Sequence, residues 1–184
     1  MALAQKIIDY EYTIDDIYAL PEGKRAELID GQMYMMATPS TKHQRLVKEF
    51  TYQIENYIRG KNGDCEVLPA PFAVFLNADN KTYVEPDISV ICDKDKLNDK
   101  GCNGAPDWII EIVSPTSSRM DYVIKLFKYR SAGVKEYWIV DFDKNRISVW
   151  NLENEDMFEY TFSDIVKAGI YEDLEIDFSK IEIN

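Results

Sequence analysis

The sequence lacks the features that would mark a membrane, secreted or repetitive protein. It has no run of 18 apolar residues, so no membrane-spanning helix is predicted. Its first ten residues lack the basic start, apolar stretch and small-residue cleavage site of a signal peptide, and the expected compartment is therefore the cytoplasm. No repeat, low-complexity tract or linker interrupts the chain, and we predict a single domain over residues 1–184.

Histidine and cysteine are also scarce. The chain has one histidine and three cysteines, at spacings that fit no zinc motif, so a Cys/His zinc site is not expected. In a cytoplasmic protein we expect all three cysteines to be reduced. Cys65 and Cys92 lie in predicted strands, and Cys102 lies in a predicted loop.

Basic residues are outnumbered by acidic ones, 21 against 33, which gives a formal net charge of −12. This charge weighs against avid, non-specific binding of nucleic acid, which needs a basic surface. It does not exclude a nuclease, because metal ions and a local basic patch can offset a global charge.

The order of the predicted elements indicates an α/β (α+β) fold, a mixed sheet flanked by helices. A short helix follows Thr13, a hairpin turns at Asp30-Gly31, and a long helix runs from a cap at Ser40 to Gly60. A second long helix is predicted from Ser117 to Ala132. The strand-type runs are "CEVLP", "FAVFLN", "YVEPDISVIC", "DWIIEIV", "KEYWIVD", "RISVWNL", "MFEYTF" and "LEIDF".

Two further segments and three aromatic residues carry specific expectations. Residues 94–106 are predicted to form a polar loop, and residues 163–168 a short polar helix or a loop. The aromatic residues Tyr137, Trp138 and Trp150 are expected in the core or at a subunit interface, because aromatic side chains in alternating strands are more often buried than stacked on bases.

Glu111 is the residue that most needs an explanation, since it stands alone in the apolar strand "DWIIEIV". A buried carboxylate is costly unless it is paired, protonated or bound to a cation. Asp107 shares its strand, but four residues at ~3.3 Å each separate the two by about 13 Å. Asp87 belongs to another predicted strand, and adjacency of the two strands would bring it within about 5 Å. Asp87 is therefore the better partner, with Asp107 at the start of the strand.

Asp87 and Glu111 together would suit a hard cation, which prefers oxygen ligands and keeps room for water and a phosphate. An alternative stays equally open at this point. Glu111 could be a structural carboxylate satisfied by backbone amides or an arginine.

The helix that follows places Asp121, Lys125 and Lys128 within an arc of about 60°, with Tyr129 beside Lys125. Much of the remaining surface is apolar, so we expect a largely buried helix, with Lys125 at the boundary and its ammonium directed into a cleft. The alternative is an Asp121–Lys125 pair on the surface. For Lys128 the surface interpretation is favoured. The apolar residues are Tyr122, Val123, Ile124, Leu126 and Phe127.

The segments "AELIDGQMYMMATPSTKHQRL", "EPDISVIC" and "GAPDWIIEIVSPTSSRMDYVIKLFKYRSAGVKEYWIVDFDKNRISVW" resemble the Uma2 family, also called DUF820, of the PD-(D/E)XK nuclease superfamily. The resemblance runs from about Glu27 to Trp150. Its most specific parts are the Glu-x-x-Ser-Pro unit, the Asp-x-x-x-Lys-x-x-x-Tyr helix and the Ala-Gly-Val-x-Glu-Tyr-Trp segment.

The resemblance implies a restriction-endonuclease-like core in which Asp87 and Glu111 hold Mg²⁺ or Mn²⁺. In the superfamily's basic motif a lysine stands two residues after the acidic residue, but here that position is Val113. The family uses a lysine from the next helix, and Lys125 matches that place. This shift is acceptable if the ammonium reaches the same point in space.

Five other residues are assigned supporting roles. Glu27 matches an acidic family position and could contact the metal or a water, although a solvent-facing place in the hairpin is equally compatible. For His43, a structural role in the first turn of the helix is favoured over contact with a substrate phosphate. Ser114 is expected to cap the turn into the next helix, with Asp121 and Tyr129 beside Lys125.

The function implied is a Mg²⁺-dependent endonuclease that hydrolyses DNA and forms a homodimer, since cutting two strands suits two-fold symmetry. Two alternatives are kept. One is a catalytically silent binding or regulatory module, and the other is a metal-dependent phosphoesterase acting on small nucleotides. The target sequence, the cleavage pattern and the choice between DNA and RNA do not follow from the sequence.

Overall fold

The computed structural model describes residues 10–113 and 119–182. In chain order the elements are α1 (Ile14–Tyr18), β1 (Ala26–Ile29), β2 (Gln32–Met35), α2 (Thr41–Gly60), β3 (Glu66–Pro69), β4 (Val74–Phe75), β5 (Ile88–Ile91), a 3-10 helix (Lys94–Lys96), β6 (Leu97–Asn98), β7 (Gly101–Asn103), β8 (Trp108–Ile112), a π-helix (Met120–Lys125), α3 (Leu126–Ala132), β9 (Glu136–Asp141), β10 (Arg146–Asn151), β11 (Asp156–Tyr160), β12 (Ile165–Lys167), β13 (Glu175–Asp177) and a 3-10 helix (Phe178–Lys180).

A six-stranded mixed sheet of order β11-β10-β9-β8-β5-β3 forms the centre of the fold. Only β8 and β9 of this sheet run parallel, and the π-helix and α3 lie in the connection between them. All other neighbouring strands of the sheet are antiparallel. The mixed α+β fold predicted from the order of elements is confirmed.

Helices cover both faces of this sheet. Successive strand residues point to opposite sides, so each face presents its own apolar side chains for a helix to pack against. Leu46, Phe50 and Ile54 of α2 pack with Trp108 and Ile110 on one face. On the other face, Tyr129 of α3 packs with residues that alternate with these, namely Ile109, Tyr137 and Ile139. Tyr137 and Trp138 are fully buried and Trp150 packs against the core, as predicted.

Local signals placed the hairpin and the helix caps correctly. Strands β1 and β2 pair about Asp30 and Gly31, which both have positive φ, as a two-residue hairpin turn requires. Thr13 and Asp16 form a capping box on α1, and the Ser40 hydroxyl accepts from the His43 amide at the start of α2. Within the described residues, no helix is long and apolar enough to cross a membrane.

Two predicted loops contain strands. The segment predicted as a polar loop, residues 94–106, holds β6 and β7, which form a three-stranded sheet with β4. The segment predicted as a polar helix or loop, residues 163–168, holds β12, in which buried Val166 pairs with Ile176 of β13. These strands are two or three residues long, too short for the periodicity of their own sequence to indicate them.

The prediction of three reduced cysteines is wrong. The pairing of Glu66 with Ile91 places Cys65 opposite Cys92, and the two form a disulfide that spans 27 residues of sequence. Cys102 is free and buried in β7, rather than in a loop. Because disulfides are uncommon in the cytoplasm, this bond does not support the compartment expected from the sequence.

Candidate active site

Asp87 and Glu111 meet where β5 and β8 lie side by side. Ile88 pairs with Ile110 in antiparallel register, so the next residues along, Asp87 and Glu111, stand across from each other. The Ile112 amide donates to Asp87 Oδ2 at 2.8 Å, and the Asp87 amide lies 3.5 Å from Glu111 Oε2. The strand adjacency predicted from the distance argument is therefore confirmed.

Asp107 lies at the opposite end of β8, as predicted. Its carboxylate accepts from the Cys92 amide at 2.8 Å and pairs with the Lys135 ammonium at 2.8 Å. It is a structural residue, and it makes no contact with Glu111.

Lys125 forms the centre of a buried ion cluster. Its ammonium lies 2.8 Å from Glu111 Oε1, 2.9 Å from Glu27 Oε1 and 3.9 Å from Asp121 Oδ1. Only 5% of Lys125 and 3% of Asp121 is exposed, so the alternative of a surface pair is wrong. Lys125 is also more deeply buried than the boundary position that the sequence predicts.

Glu27 and Tyr129 complete the cluster. Glu27 is 5% exposed and also accepts from the Glu85 amide at 3.0 Å, which rules out the solvent-facing alternative. The Tyr129 hydroxyl donates to Glu111 Oε1 at 2.7 Å. Glu111 Oε1 is therefore held by two donors from one helical segment, Lys125 and Tyr129.

The helical segment turns its polar side inward, contrary to the prediction of a largely buried apolar helix. Asp121, Lys125 and Tyr129 are buried, whereas Val123 and Phe127 are 59% and 66% exposed. The carboxylates on the sheet and hairpin supply partners for the inward polar groups, and this makes their burial tolerable. Met120–Lys125 of this segment form a π-helix, a form that often occurs at functional sites. Lys128 pairs instead with the exposed Asp30, in line with the surface interpretation.

The cluster has an excess of negative charge. Burial raises the pKa of Glu111 well above its usual value, and the nearby carboxylates of Asp87, Asp121 and Glu27 add to this effect. Burial acts to lower the pKa of Lys125, but Glu111, Glu27 and Asp121 outweigh it and raise that pKa well above normal. The ammonium therefore stays charged. Three carboxyl groups surround one ammonium, and a fourth, that of Asp87, lies beside Glu111; such an arrangement can accept a further cation.

Asp87 and Glu111 each keep one oxygen that could bind a cation. Asp87 Oδ2 is held by the Ile112 amide and His43, and Glu111 Oε1 by Lys125 and Tyr129. Among the described residues, Asp87 Oδ1 has no donor, and Glu111 Oε2 has only the Asp87 amide, at a distance of 3.5 Å. Within residues 10–113 and 119–182, no group of three or more Asp, Glu, His or Cys side chains is placed to hold a metal. The pair nevertheless fits Mg²⁺, which often takes only one or two protein carboxylates and fills its other positions with water and substrate phosphate.

His43 lies beside this pair. Its Nε2 is 3.1 Å from Asp87 Oδ2, and its backbone amide donates to Ser40 in the first turn of α2. The favoured first-turn position is confirmed, but the contact with Asp87 was not anticipated. The Ile112 amide was also missed, because a backbone donor leaves no signal in the residue type.

Val113 and Ser114 follow Glu111 in the Glu-x-x-Ser-Pro unit, and of these two the structure describes only Val113. Ser114 lies outside the described residues. Val113, at the position where the superfamily's basic motif has lysine, is 2% exposed and packs in the apolar core on the α3 side. The ammonium of Lys125 reaches Glu111 from the helical segment instead.

Comparisons with known proteins agree with this architecture. The sequence model of Uma2, described as "Putative restriction endonuclease", matches residues 14–182. The chain belongs to the Uma2 family. A relative from Synechocystis, an uncharacterized protein, is 25% identical over 134 residues, which are 72% of this chain and 68% of that one.

One solved structure shares the fold of this Uma2 chain. It is described as a putative nuclease belonging to DUF820, from Anabaena variabilis. The two superpose with a TM-score of 0.70 at 20% identity, over 86% of this chain and 89% of that one. This likeness shows a shared fold.

Proposed function

We propose that this Uma2 protein is a Mg²⁺- or Mn²⁺-dependent endonuclease that hydrolyses phosphodiester bonds in DNA. The observation that carries the proposal is the paired geometry of Asp87 and Glu111. Each carboxylate has one oxygen fixed by short hydrogen bonds, and its other oxygen, among the described residues, meets at most the distant Asp87 amide, at 3.5 Å from Glu111 Oε2. The Lys125 ammonium lies against the carboxylate of Glu111. Membership of the Uma2 family supports the nuclease assignment.

Asp87 and Glu111 would hold the metal ion. When bound, such an ion polarises the scissile phosphate and lowers the pKa of a coordinated water. The protein supplies rigid placement of its ligands, because Asp87 is fixed by the Ile112 amide and Glu111 by the Tyr129 hydroxyl. Preorganised groups of this kind need no rearrangement as charge develops.

Lys125 supplies positive charge beside the ligands. Its ammonium would stabilise the negative charge that develops on the phosphate oxygens, or orient the attacking water. Glu27 holds that ammonium from the hairpin side at 2.9 Å. The lysine thus performs from the helical segment the role that the superfamily's basic motif gives to a residue on the strand, since a transition state depends on the position of a group and not on chain order.

The proposal is tested by DNA cleavage with matched variants in which a carboxylate is replaced by its amide. Supercoiled plasmid is incubated with purified protein and Mg²⁺ or Mn²⁺, and EDTA serves as the metal-free control. The parent should cut the plasmid, and Asp87→Asn and Glu111→Gln should abolish cutting. Asp107→Asn should cut like the parent, because Asp107 follows a proline as Asp87 does but lies at the far end of β8. Full activity in Asp87→Asn and Glu111→Gln would refute the proposal.

Two alternatives are a catalytically silent binding or regulatory module and a metal-dependent phosphoesterase that acts on small nucleotides. The net charge of −12 favours both over a nuclease that binds long nucleic acids. Three further measurements separate them from the proposal. Hydrolysis of small nucleotide phosphodiesters without cleavage of plasmid would indicate the phosphoesterase. A folded parent that binds neither Mg²⁺ nor Mn²⁺ by calorimetry would indicate a silent module. Cleavage of single-stranded RNA in preference to DNA would correct the substrate.

We further propose that the protein acts as a homodimer, which suits the cutting of two strands. Val123 and Phe127 form an exposed apolar pair one helical turn apart beside the site. Light scattering coupled to gel filtration should give twice the chain mass of 21.4 kDa for the parent. A parent that runs as a monomer at all concentrations would refute the dimer while leaving the chemistry untouched.

A further inference from the structure

His43 is the only histidine of the chain, and it is buried against Asp87. The backbone that carries this side chain is well anchored, since the Ser40 hydroxyl accepts from its amide while Leu46 and Val47 of the following turn pack in the core. The imidazole therefore projects from an anchored helix turn toward the candidate metal ligand.

The hydrogen-bonding roles follow from the chemistry of the contact. An ionised carboxylate only accepts, so the His43 Nε2 atom, 3.1 Å from Asp87 Oδ2, must carry the proton and donate. The other ring nitrogen, Nδ1, is buried and has no hydrogen-bond partner among the described residues. A buried polar atom without a partner is costly, so burial of Nδ1 is unfavourable. The hydrogen bond from Nε2 to Asp87 is the compensating contact that the ring makes.

Asp87 Oδ2 thus receives two donors from two different elements. The Ile112 amide approaches from β8 at 2.8 Å, and His43 Nε2 approaches from α2 at 3.1 Å. The terminal torsion of an aspartate is soft, so one donor would leave the carboxylate free to rock about that contact. Two donors converging on one oxygen fix the plane of the group and leave Oδ1 as the oxygen available to a cation.

We propose that His43 is a positioning residue that orients Asp87 for metal binding. The inference rests on the proposed function, since it assigns to His43 the support of a ligand of that same site. Groups that hydrogen-bond to a metal ligand fix its orientation, and their loss typically weakens metal affinity by about 10–100-fold. His43 would act through Asp87 and would itself touch neither the metal nor the phosphate.

Two amide variants of His43 form the decisive pair. In His43→Gln the side-chain amide nitrogen reaches about as far as Nε2, so it can still donate to Asp87. In His43→Asn the same amide is one methylene shorter and falls short of Asp87. His43→Leu removes the donor altogether. Gln44→Leu, at the exposed neighbouring position of α2, serves as the control.

Calorimetric titration with Mn²⁺ of the purified, metal-free proteins provides a readout that does not depend on activity. His43→Asn and His43→Leu should bind Mn²⁺ about 10–100-fold more weakly than the parent, and His43→Gln within about threefold of it. A purely structural role would lower thermal stability in both amide variants without this difference in affinity. Equal Mn²⁺ affinity in the parent, His43→Asn and His43→Leu would overturn the inference and leave the proposed function standing.

The single histidine also allows a direct check of the contact. A long-range proton–nitrogen correlation spectrum of the parent should show one imidazole, protonated at Nε2, whose signals shift when Mg²⁺ is added. Asp87→Asn should remove that response. If the parent binds no Mn²⁺ or Mg²⁺ at all, the proposed function fails and the positioning role fails with it. If it binds metal while the imidazole carries its proton on Nδ1, only the inference about His43 fails.

Discussion

Glu27 of the hairpin and Lys125 of the π-helix lie 2.9 Å apart, and each side chain is 6% exposed. The same ammonium lies 2.8 Å from Glu111 on β8, so a single lysine connects the hairpin to the central sheet. The structural and proposed catalytic consequences of this arrangement can be separated by mutation.

Replacing Lys125 by Met keeps most of the side-chain length and removes the charge. Glu27 and Glu111 are then left buried without a counter-charge, a change that typically costs about 3–5 kcal/mol of unfolding free energy. DNA cleavage should fall by at least about 100-fold, because the charge beside the phosphate is lost. Urea unfolding and plasmid cleavage measure the two effects.

Lys128→Met is the matched control for this variant. Lys128 lies on the same helical segment but pairs with Asp30, which is 62% exposed, so its loss should cost at most about 1 kcal/mol. Equal losses of stability in the two methionine variants would show that the buried cluster is not assembled around Lys125.

Tyr129→Phe removes one hydrogen bond to Glu111 and little else. A hydrogen bond to a charged group contributes about 1.5–3 kcal/mol, and urea unfolding should register a loss in that range. Cleavage should fall less than in Lys125→Met, since Glu111 keeps its contact with the ammonium. Tyr52→Phe, at a position that is 65% exposed, should change stability by less than about 0.5 kcal/mol. A Tyr129→Phe protein as stable as Tyr52→Phe would contradict the contact.

Reduction of the Cys65–Cys92 disulfide should destabilise the protein. The bond closes 27 residues of sequence, and the chain-entropy relation gives about 3.5 kcal/mol for a loop of this size. Dithiothreitol should therefore lower the melting temperature of the parent but not that of a Cys65→Ala, Cys92→Ala double variant. Thiol counting after denaturation should give one free thiol, from Cys102, before reduction and three afterwards. Three thiols without reductant would mean that the disulfide is absent.

Asp107 should make stability depend on pH. Burial acts to raise the pKa of Asp107, but the Lys135 ammonium and the Cys92 amide more than offset it, and the folded pKa lies below the ordinary value. The stabilisation is therefore present above the unfolded pKa of about 4 and is lost as pH falls through the folded value.

Comparison with Asp107→Asn isolates this effect. At pH 7 the variant should be less stable by about 1–3 kcal/mol. The difference should shrink as the pH falls below about 4, because protonated aspartic acid no longer attracts Lys135. Urea unfolding at pH 7, 5 and 3 measures it, and a gap that stays constant over this range would contradict the interpretation.

Much of the local structure could be predicted because its signals lie within a few residues. The Asp30-Gly31 turn and the Ser40 cap depend on neighbouring backbone geometry, and both form as expected. The pairing of Asp87 with Glu111 could also be predicted from the sequence, since the spacing of residues along a strand places Asp107 too far from Glu111. The helical pattern placed Lys125 at the apolar boundary, but the role proposed for it came from family resemblance, because helix position alone does not show which group an ammonium will contact.

The sequence by itself determined α2, the hairpin and the strands with strong alternation, because each follows from a repeat or a cap encoded in adjacent residues. The second helix, predicted from Ser117 to Ala132, is a π-helix followed by α3 over its described part, and Ser117 lies outside the described residues. Only the tertiary structure decided that Glu27 is buried, that Cys65 faces Cys92, that the polar side of the π-helix turns inward, and that His43 contacts Asp87. These features join segments distant in sequence through strand register and helix packing. Their energies depend on burial and on partners that no local pattern specifies.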